Sequence, residues 1–418
     1  MEVLLTGSTA IVSGFPYLFF VDVSNPASAH RIGRHEAMPS YWLEPWQNSM
    51  AAGVNGSTVV VAYESKPAEV IDVSSPAKPR VVSTFEPVGL PNAVAVSASH
   101  AFIGYTSGSE GRRPMVYDPS SQSEKGGIEV RDMRDANARR PAAVIETEHA
   151  VTDLALAGTR LVAAHRDGSI AVYDVAQPAA PRLVGRMNGE FAGAKAPRGT
   201  RVALSGDGAW AFVTRASARL GFNDADSLPG TLVIVDLSDA SQPRIAAKRP
   251  LEGRGETEYP VVTNGRQVGV LLGYAGGLLI LDVRDPRRPL TVAHQQLPPM
   301  HAAWGLALDE KHVYVGAGES GMLIYSLPQR YEVPVTSTTR GCMTWAICSG
   351  VTQRIEMSGP DQGMQAIRGR VGSRSWRNAY SFAGIILRTA RSTPARHTHL
   401  NSLNRRMRTR MSGGVGGE

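Results

Sequence analysis

The chain has two cysteines in 418 residues, and both, Cys342 and Cys348, stand near its end. Everything before them is free of cysteine, which excludes a disulfide scaffold and a cysteine nucleophile there and leaves the body indifferent to redox compartment. Aromatic residues make up only 6%. No apolar run approaches the ~20 residues of a membrane-spanning helix, so no transmembrane segment is expected. There is no Gly-x-Ser-x-Gly elbow, His-Glu-x-x-His, Cys-x-x-Cys or phosphate-cradling loop. Gly206-Asp-Gly208 and Gly276-Gly277 read as hairpin turns. What is present is 42% hydrophobic and 19% charged residues, with 43 Gly and 27 Pro. That balance excludes a wholly disordered chain, a collagen and a coiled coil, and describes a large globular protein with many turns.

The net charge of +7 is unevenly spread. Residues 340–418 hold 13 Arg, no Lys and three acids (Glu356, Asp361 and Glu418), a net of +10, so residues 1–339 carry −3. A near-neutral body offers no electrostatic reason to bind a phosphate backbone. Glu2 and the polar residues at 6, 8, 9 and 13 break any basic, then apolar, leader pattern, so the chain as written reads as cytoplasmic.

One segment recurs: four or five apolar residues, Asp, Val or Leu, small polar residues, then Pro. It reads Leu-Phe-Phe-Val-Asp22-Val-Ser-Asn-Pro26 and returns at Asp72, Asp132, Asp174, Asp236 and Asp282, with Ser326 in the seventh copy. The anchors lie 50, 60, 42, 62, 46 and 44 residues apart. The shortest interval holds about four strands of ordinary length joined by tight turns. The fourth copy divides into strands at Ala150–Ala157, Leu161–His165, Ser169–Val175 and Arg182–Arg186. The first divides at Glu2–Thr6, Thr9–Gly14, Tyr17–Val23 and His30–Arg34. The seventh divides at Trp304–Leu308, His312–Gly316, Met322–Leu327 and Tyr331–Val335. The third strand is apolar at consecutive positions, which means burial on both faces. A sheet sandwiched between like sheets supplies that burial, and units near 45–50 residues favour a closed ring. The repeated Asp reads as a structural acceptor for backbone N–H groups of the following turn.

These residues resemble the LVIVD-repeat family, whose signature Leu232–Asp236 spells outright. The resemblance covers roughly residues 1–338. It implies a β-propeller, often on exported or surface proteins, so an extracellular location follows if a leader precedes the chain. It implies no common activity and transfers no catalytic residue. Copy three departs from the pattern by delaying its proline to Pro141, and copy seven lacks the Asp.

The expected architecture is therefore all-β: one seven-bladed propeller of four-stranded antiparallel blades over residues 1–338. Ring closure comes from packing the first sheet on the seventh. Residues 339–418 are expected to be an Arg-rich appendage, largely disordered or an out-of-frame extension. Their arginines show neither a helical face nor regular aromatic interleaving, so nucleic acid would be met only through this tail.

Ligands of a propeller usually meet the mouth of the central channel. His149 and His301 align just before the first strands of their units, with Gln47 at that place in unit two. Nearby stand Trp46, Asn92, Glu148, Asp153, Arg198, Glu258, Tyr259 and Trp304. This set can bind a polar ligand, and His149 and His301 with Asp153 can do acid–base work or take part in metal binding. Long insertions at Thr106–Gly127 and Arg215–Gly230 fall over the same mouth. The second contains Asp224 and Asp226, an acidic pair without the full calcium-loop pattern. The leading expectation is a monomeric, non-enzymatic scaffold binding a protein, glycan or small ligand. The alternative is a hydrolase or lyase at the channel mouth around His149 and His301. No cofactor is legible.

Overall fold

The computed structural model describes residues 2–14, 17–37, 50–64, 66–107, 125–135, 140–189, 199–215, 218–219, 227–228, 230–252, 259–272, 276–297, 305–317, 321–327 and 366–367. The chain divides into two compact units, Met1–Trp376 and Arg377–Glu418, and all described residues belong to the first.

Among the described residues, seven four-stranded antiparallel sheets follow one another along the chain, each built in simple sequential order. Blade 1 comprises Val3–Thr6, Thr9–Gly14, Tyr17–Asp22 and His30–Glu36. Blade 2 comprises Met50–Asn55, Thr58–Tyr63, Ala68–Asp72 and Arg80–Phe85. Blade 3 comprises Leu90–Val96, His100–Thr106, Gly126–Asp132 and Ala143–Thr147, and blade 4 Val151–Ala157, Arg160–His165, Ile170–Asp174 and Arg182–Met187. Blade 5 comprises Thr200–Leu204, Trp210–Arg215, Gly230–Asp236 and Arg244–Leu251. Blade 6 comprises Val261–Thr263, Gln267–Leu271, Leu278–Asp282 and Leu290–Gln295. Blade 7 comprises Gly305–Leu308, His312–Gly316, Met322–Ser326 and Ala366–Ile367.

The seventh outer strand differs from expectation. Tyr331–Val335 lies outside the described residues, and the described partner of Met322–Ser326 is Ala366–Ile367, with Ile367 opposite Ile324 and Ala366 opposite Tyr325. An exposed strand edge offers unpaired N–H and C=O groups to any nearby extended segment. The rest of the Arg-rich segment also lies outside the described residues.

The consecutive apolar residues divide their side chains between two seams because successive residues of a strand point to opposite faces. Val59 and Val61 join Ile11, Leu18 and Phe20 of blade 1, whereas Val60 and Ala62 join Val94, Ala101 and Ile103 of blade 3. The same division recurs at each later seam. The last seam joins Val3, Val12 and Phe19 of blade 1 to Ala307, Tyr314 and Ile324 of blade 7. The sheets therefore close into a ring by packing, with each blade drawn from its own stretch of chain.

Outer strands complete the seams. A Cβ added at Gly33 would stand 2.0 Å from the Pro76 carbonyl oxygen of blade 2, and one at Gly185 would stand 2.0 Å from that of Ala240 in blade 5. Both glycines therefore sit where an outer strand presses on the next blade's turn. Gly33→Ala and Gly185→Ala should each cost about 1–3 kcal/mol by overpacking. Gly206→Ala, with nothing among the described residues within 4 Å of its added Cβ, should stay within about 0.5 kcal/mol of wild type. Urea denaturation of the three variants checks this.

The repeated aspartates cap their turns. Asp22 Oδ1 accepts the Ser24 N–H at 2.8 Å, Asp72 that of Ser74 at 2.9 Å, and Asp132 that of Arg134 at 3.0 Å. Asp174, Asp236 and Asp282 accept those of Ala176, Ser238 and Arg284 at 3.0, 3.0 and 2.9 Å. Exposed arginines add to several of them. Arg80 donates to Asp72, Arg182 to Asp174, and Arg287 of blade 6 reaches back to Asp236 of blade 5. The hydrogen bond from Arg80, then that from the Ser74 N–H, holds the Asp72 carboxyl down to about 2. Backbone donation from Ser24 to Asp22 and from Ala176 to Asp174 lowers those carboxyls too. Because the folded-state values are depressed, this stabilisation is complete above pH ~4 and is lost as pH falls towards 2. Thermal melts at pH 5, 3 and 2 should show that loss, and Asp72→Asn should flatten it.

Candidate functional site

The hairpins between first and second strands share a register, with Thr6 opposite Thr9, Asn55 opposite Thr58 and Ala157 opposite Arg160. Gly7, Gly56 and Gly158 take positive φ there, a backbone region that glycine enters without steric cost. Counting back along the inner strands brings Glu2, Ala51, Ala93, Asp153, Arg201, Pro260 and Gly305 to one level. Three of these seven positions are charged, on blades 1, 4 and 5, and the other four are small or apolar.

The two carboxylates do the same structural work. Glu2 Oε2 accepts the Ala52 N–H of blade 2 at 2.8 Å, and Asp153 Oδ2 accepts the Val202 N–H of blade 5 at 2.8 Å. Asp153 Oδ1 accepts the Leu154 N–H at 2.9 Å and lies 3.7 Å from Arg201 Nη1. The strand is bulged between Val151 and Asp153, which re-aims this side chain. Burial pushes the Glu2 carboxyl up to about 7, Asp153 adds to the rise, and Arg201 and the Ala52 N–H oppose it. Because the folded-state value lies above the ordinary one, Glu2 contributes stability that is lost as pH rises through about 7. Glu2→Gln should therefore weaken the fall in melting temperature between pH 5 and pH 8, as followed by calorimetry.

The mouth end of blade 4 carries a second polar group. His149 Nε2 stands 3.4 Å from Asp167 Oδ2. Asp167 Oδ1 accepts the Ser169 hydroxyl at 2.7 Å and its N–H at 3.0 Å. Gly168 provides the positive φ of that hairpin. Beneath it, His165 is 1% exposed and burial pushes its imidazole down to about 4, so the ring is neutral at pH 7. Its Nδ1 lies 3.3 Å from the Ser169 carbonyl, and its Nε2 has no hydrogen-bond partner among the described residues.

Other expected site residues fall elsewhere. Asn92 donates to Thr106 Oγ1 at 2.9 Å and to the Val151 carbonyl at 2.8 Å, joining blade 3 to blade 4. Tyr259 is fully buried in the seam between blades 5 and 6, against Gly230. Its ring fills core space and is closed to a ligand, which corrects its place in the mouth set. Glu148 is exposed. Trp46, Gln47, Arg198, Asp224, Asp226, Glu258, His301 and Trp304 lie outside the described residues, so the relation of His149 to His301 does too. Among the described residues, no three His, Cys, Asp or Glu side chains converge to hold a metal ion. Glu2 and Arg201 escaped sequence reasoning, and only the aligned strand register brings them out.

The LVIVD repeat model matches residues 2–35 and 228–248, covering blade 1 and the third strand and turn of blade 5. With the seven closed blades, this makes the chain a seven-bladed β-propeller that carries LVIVD repeats. No curated protein matches this propeller. Among solved structures it is similar to a candidate 6-phosphogluconolactonase of Bacteroides fragilis, at 14% identity and TM-score 0.55, covering 78% of this chain and 93% of that one. It is also similar to a functionally unknown protein of Desulfotomaculum acetoxidans, at 12% and 0.53, over 77% and 92%. The computationally designed Ika8 protein matches at 13% and 0.50, over 78% and 82%. Likeness at such identities speaks to the fold alone. No helix among the described residues is long and apolar enough to cross a membrane.

Proposed function

We propose that the loop-bearing face of this propeller is a non-enzymatic binding scaffold that receives a protein, glycan or small polar ligand. The observation that supports this most is the charged level formed by Glu2, Asp153 and Arg201 beside four small or apolar positions. Both Asp153 oxygens accept backbone N–H groups, which holds the carboxylate in one orientation. Fixed charges on a rigid frame discriminate among polar ligands at low ordering cost. The long insertions of blades 3 and 5 follow the second strands, which end at Thr106 and Arg215, and loops carried on a rigid scaffold often supply binding contacts.

A second reading, a hydrolase or lyase at the mouth, draws on the His149–Asp167 pair, since a carboxylate beside an imidazole is the arrangement of a general base and its orienting group. Thermal-shift titration with monosaccharides, amino acids, dicarboxylates and short peptides separates the two. The scaffold reading expects a saturable shift with at least one class. Arg201→Ala should abolish it and His149→Ala should retain it. Turnover of a bound compound that disappears in His149→Ala would instead establish the enzyme.

A further inference from the structure

On the face opposite the long loops, the first hairpin of blade 3 brings Ser99 and His100 to the repeat carboxylate Asp132. Ser99 Oγ lies 2.8 Å from His100 Nδ1. His100 is paired opposite Asp132 in the ladder, and its Nε2 stands 3.9 Å from Asp132 Oδ2, an electrostatic contact. A carboxylate only accepts, so it favours the imidazole proton on Nε2 and leaves the Nδ1 lone pair facing the hydroxyl. His100 is 4% exposed, and burial holds its pKa below the ordinary value, so the neutral ring can accept a proton at pH 7.

The surroundings hold these groups still. Ser97 Oγ accepts the His100 N–H at 2.9 Å, and the Ser99 carbonyl accepts the Met133 N–H at 2.9 Å. Arg134 grips Asp132 through its backbone N–H, Nε and Nη2 at 3.0, 2.9 and 2.7 Å. The repeat also contains its own controls. Ser8 and Ser57 occupy the corresponding hairpin position, but Thr9 and Thr58 follow them, opposite Asp22 and Asp72. A turn hydroxyl is thus a feature of several blades, whereas the neighbouring imidazole distinguishes blade 3 from those two.

We propose that Ser99 is a nucleophile towards small, unhindered carboxylic esters, with His100 as its general base and Asp132 as a positioning residue. The Ser99 Oγ–carbonyl carbon bond forms as the hydroxyl proton passes to His100 Nδ1. The ester C–O bond then breaks, and the leaving oxygen either takes that proton or departs as a stable anion while His100 releases the proton to solvent. Water, deprotonated by the same nitrogen, attacks the acyl group, releasing the acid and restoring Ser99. The hydrogen-bonded nucleophile and base, with a carboxylate beyond the base, supply the nucleophile, base and orienting charge of such chemistry.

The test uses the full chain, a fluorophosphonate probe with peptide mapping by mass spectrometry, and 4-nitrophenyl acetate hydrolysis. Labelling replaces the P–F bond with a Ser99 Oγ–P bond. One adduct is expected, on Ser99 and on neither Ser8 nor Ser57. His100→Gln should slow labelling about 100-fold with an unchanged melting temperature. Asp132→Asn should move the pH at which labelling half-rises downward, because the carboxylate raises the His100 pKa. Should the variants fail to fold, the comparison of Ser99 with Ser8 and Ser57 in wild type remains decisive. An unlabelled Ser99 in folded wild type, equal labelling of Ser57, or indifference to His100→Gln would overturn the proposal.

Discussion

Burial of both faces of every blade is the constraint on which the rest depends. A β-strand sends successive side chains to opposite sides, so a run such as Val59-Val-Val-Ala62 is stable only with apolar surface on each side. Blades 1 and 3 supply it, and each neighbour needs the same service in turn. An open stack would leave two apolar faces in water, and the seam formed by Val12, Phe19, Tyr314 and Ile324 removes them. Closure is thus a consequence of the hydrophobic effect acting on a repeat.

Polar groups complete the ring. Asn55 donates to the Val96 carbonyl of blade 3, Thr152 to the Thr200 carbonyl of blade 5, and Asn264 to the Asp309 carbonyl of blade 7. Arg160 reaches two carbonyls of blade 5, those of Gly208 and Leu237. Glu129, fully buried, accepts the Val88 N–H and pairs with Arg131, which also reaches the Glu86 carbonyl and stacks on Phe85. The contacts to N–H and C=O groups satisfy backbone that adjoining sheets would otherwise strand. The ionisable level at Glu2, Asp153 and Arg201 grows out of the same need: two of its members bind backbone first, and that fixes where their carboxyl groups stand.

Much of this was legible in the chain alone. Second and third strands stand out because their apolar runs have no other stable placement, and the repeated Asp stands out because it precedes small residues and Pro. The candidate site was less legible. Asn92 and Tyr259 lie close to the mouth in sequence, yet a residue at a strand's entrance faces either the channel or a seam, and composition does not decide which. Glu2 and Arg201 share a level with Ala51, Ala93, Pro260 and Gly305, so no residue type repeats there to betray the position. The outer strand of blade 7 follows no periodicity either, because its described residues come from beyond the repeat.

Native-state hydrogen exchange is the most direct test of mutual burial. In a closed ring the amides of Ala10–Val12 and Val313–Val315, flanking the last seam, exchange as slowly as those of Leu161–Ala163 on the opposite side. Early exchange at the first two segments, with protection rising towards blade 4, would describe a stack that frays from free ends and would contradict closure.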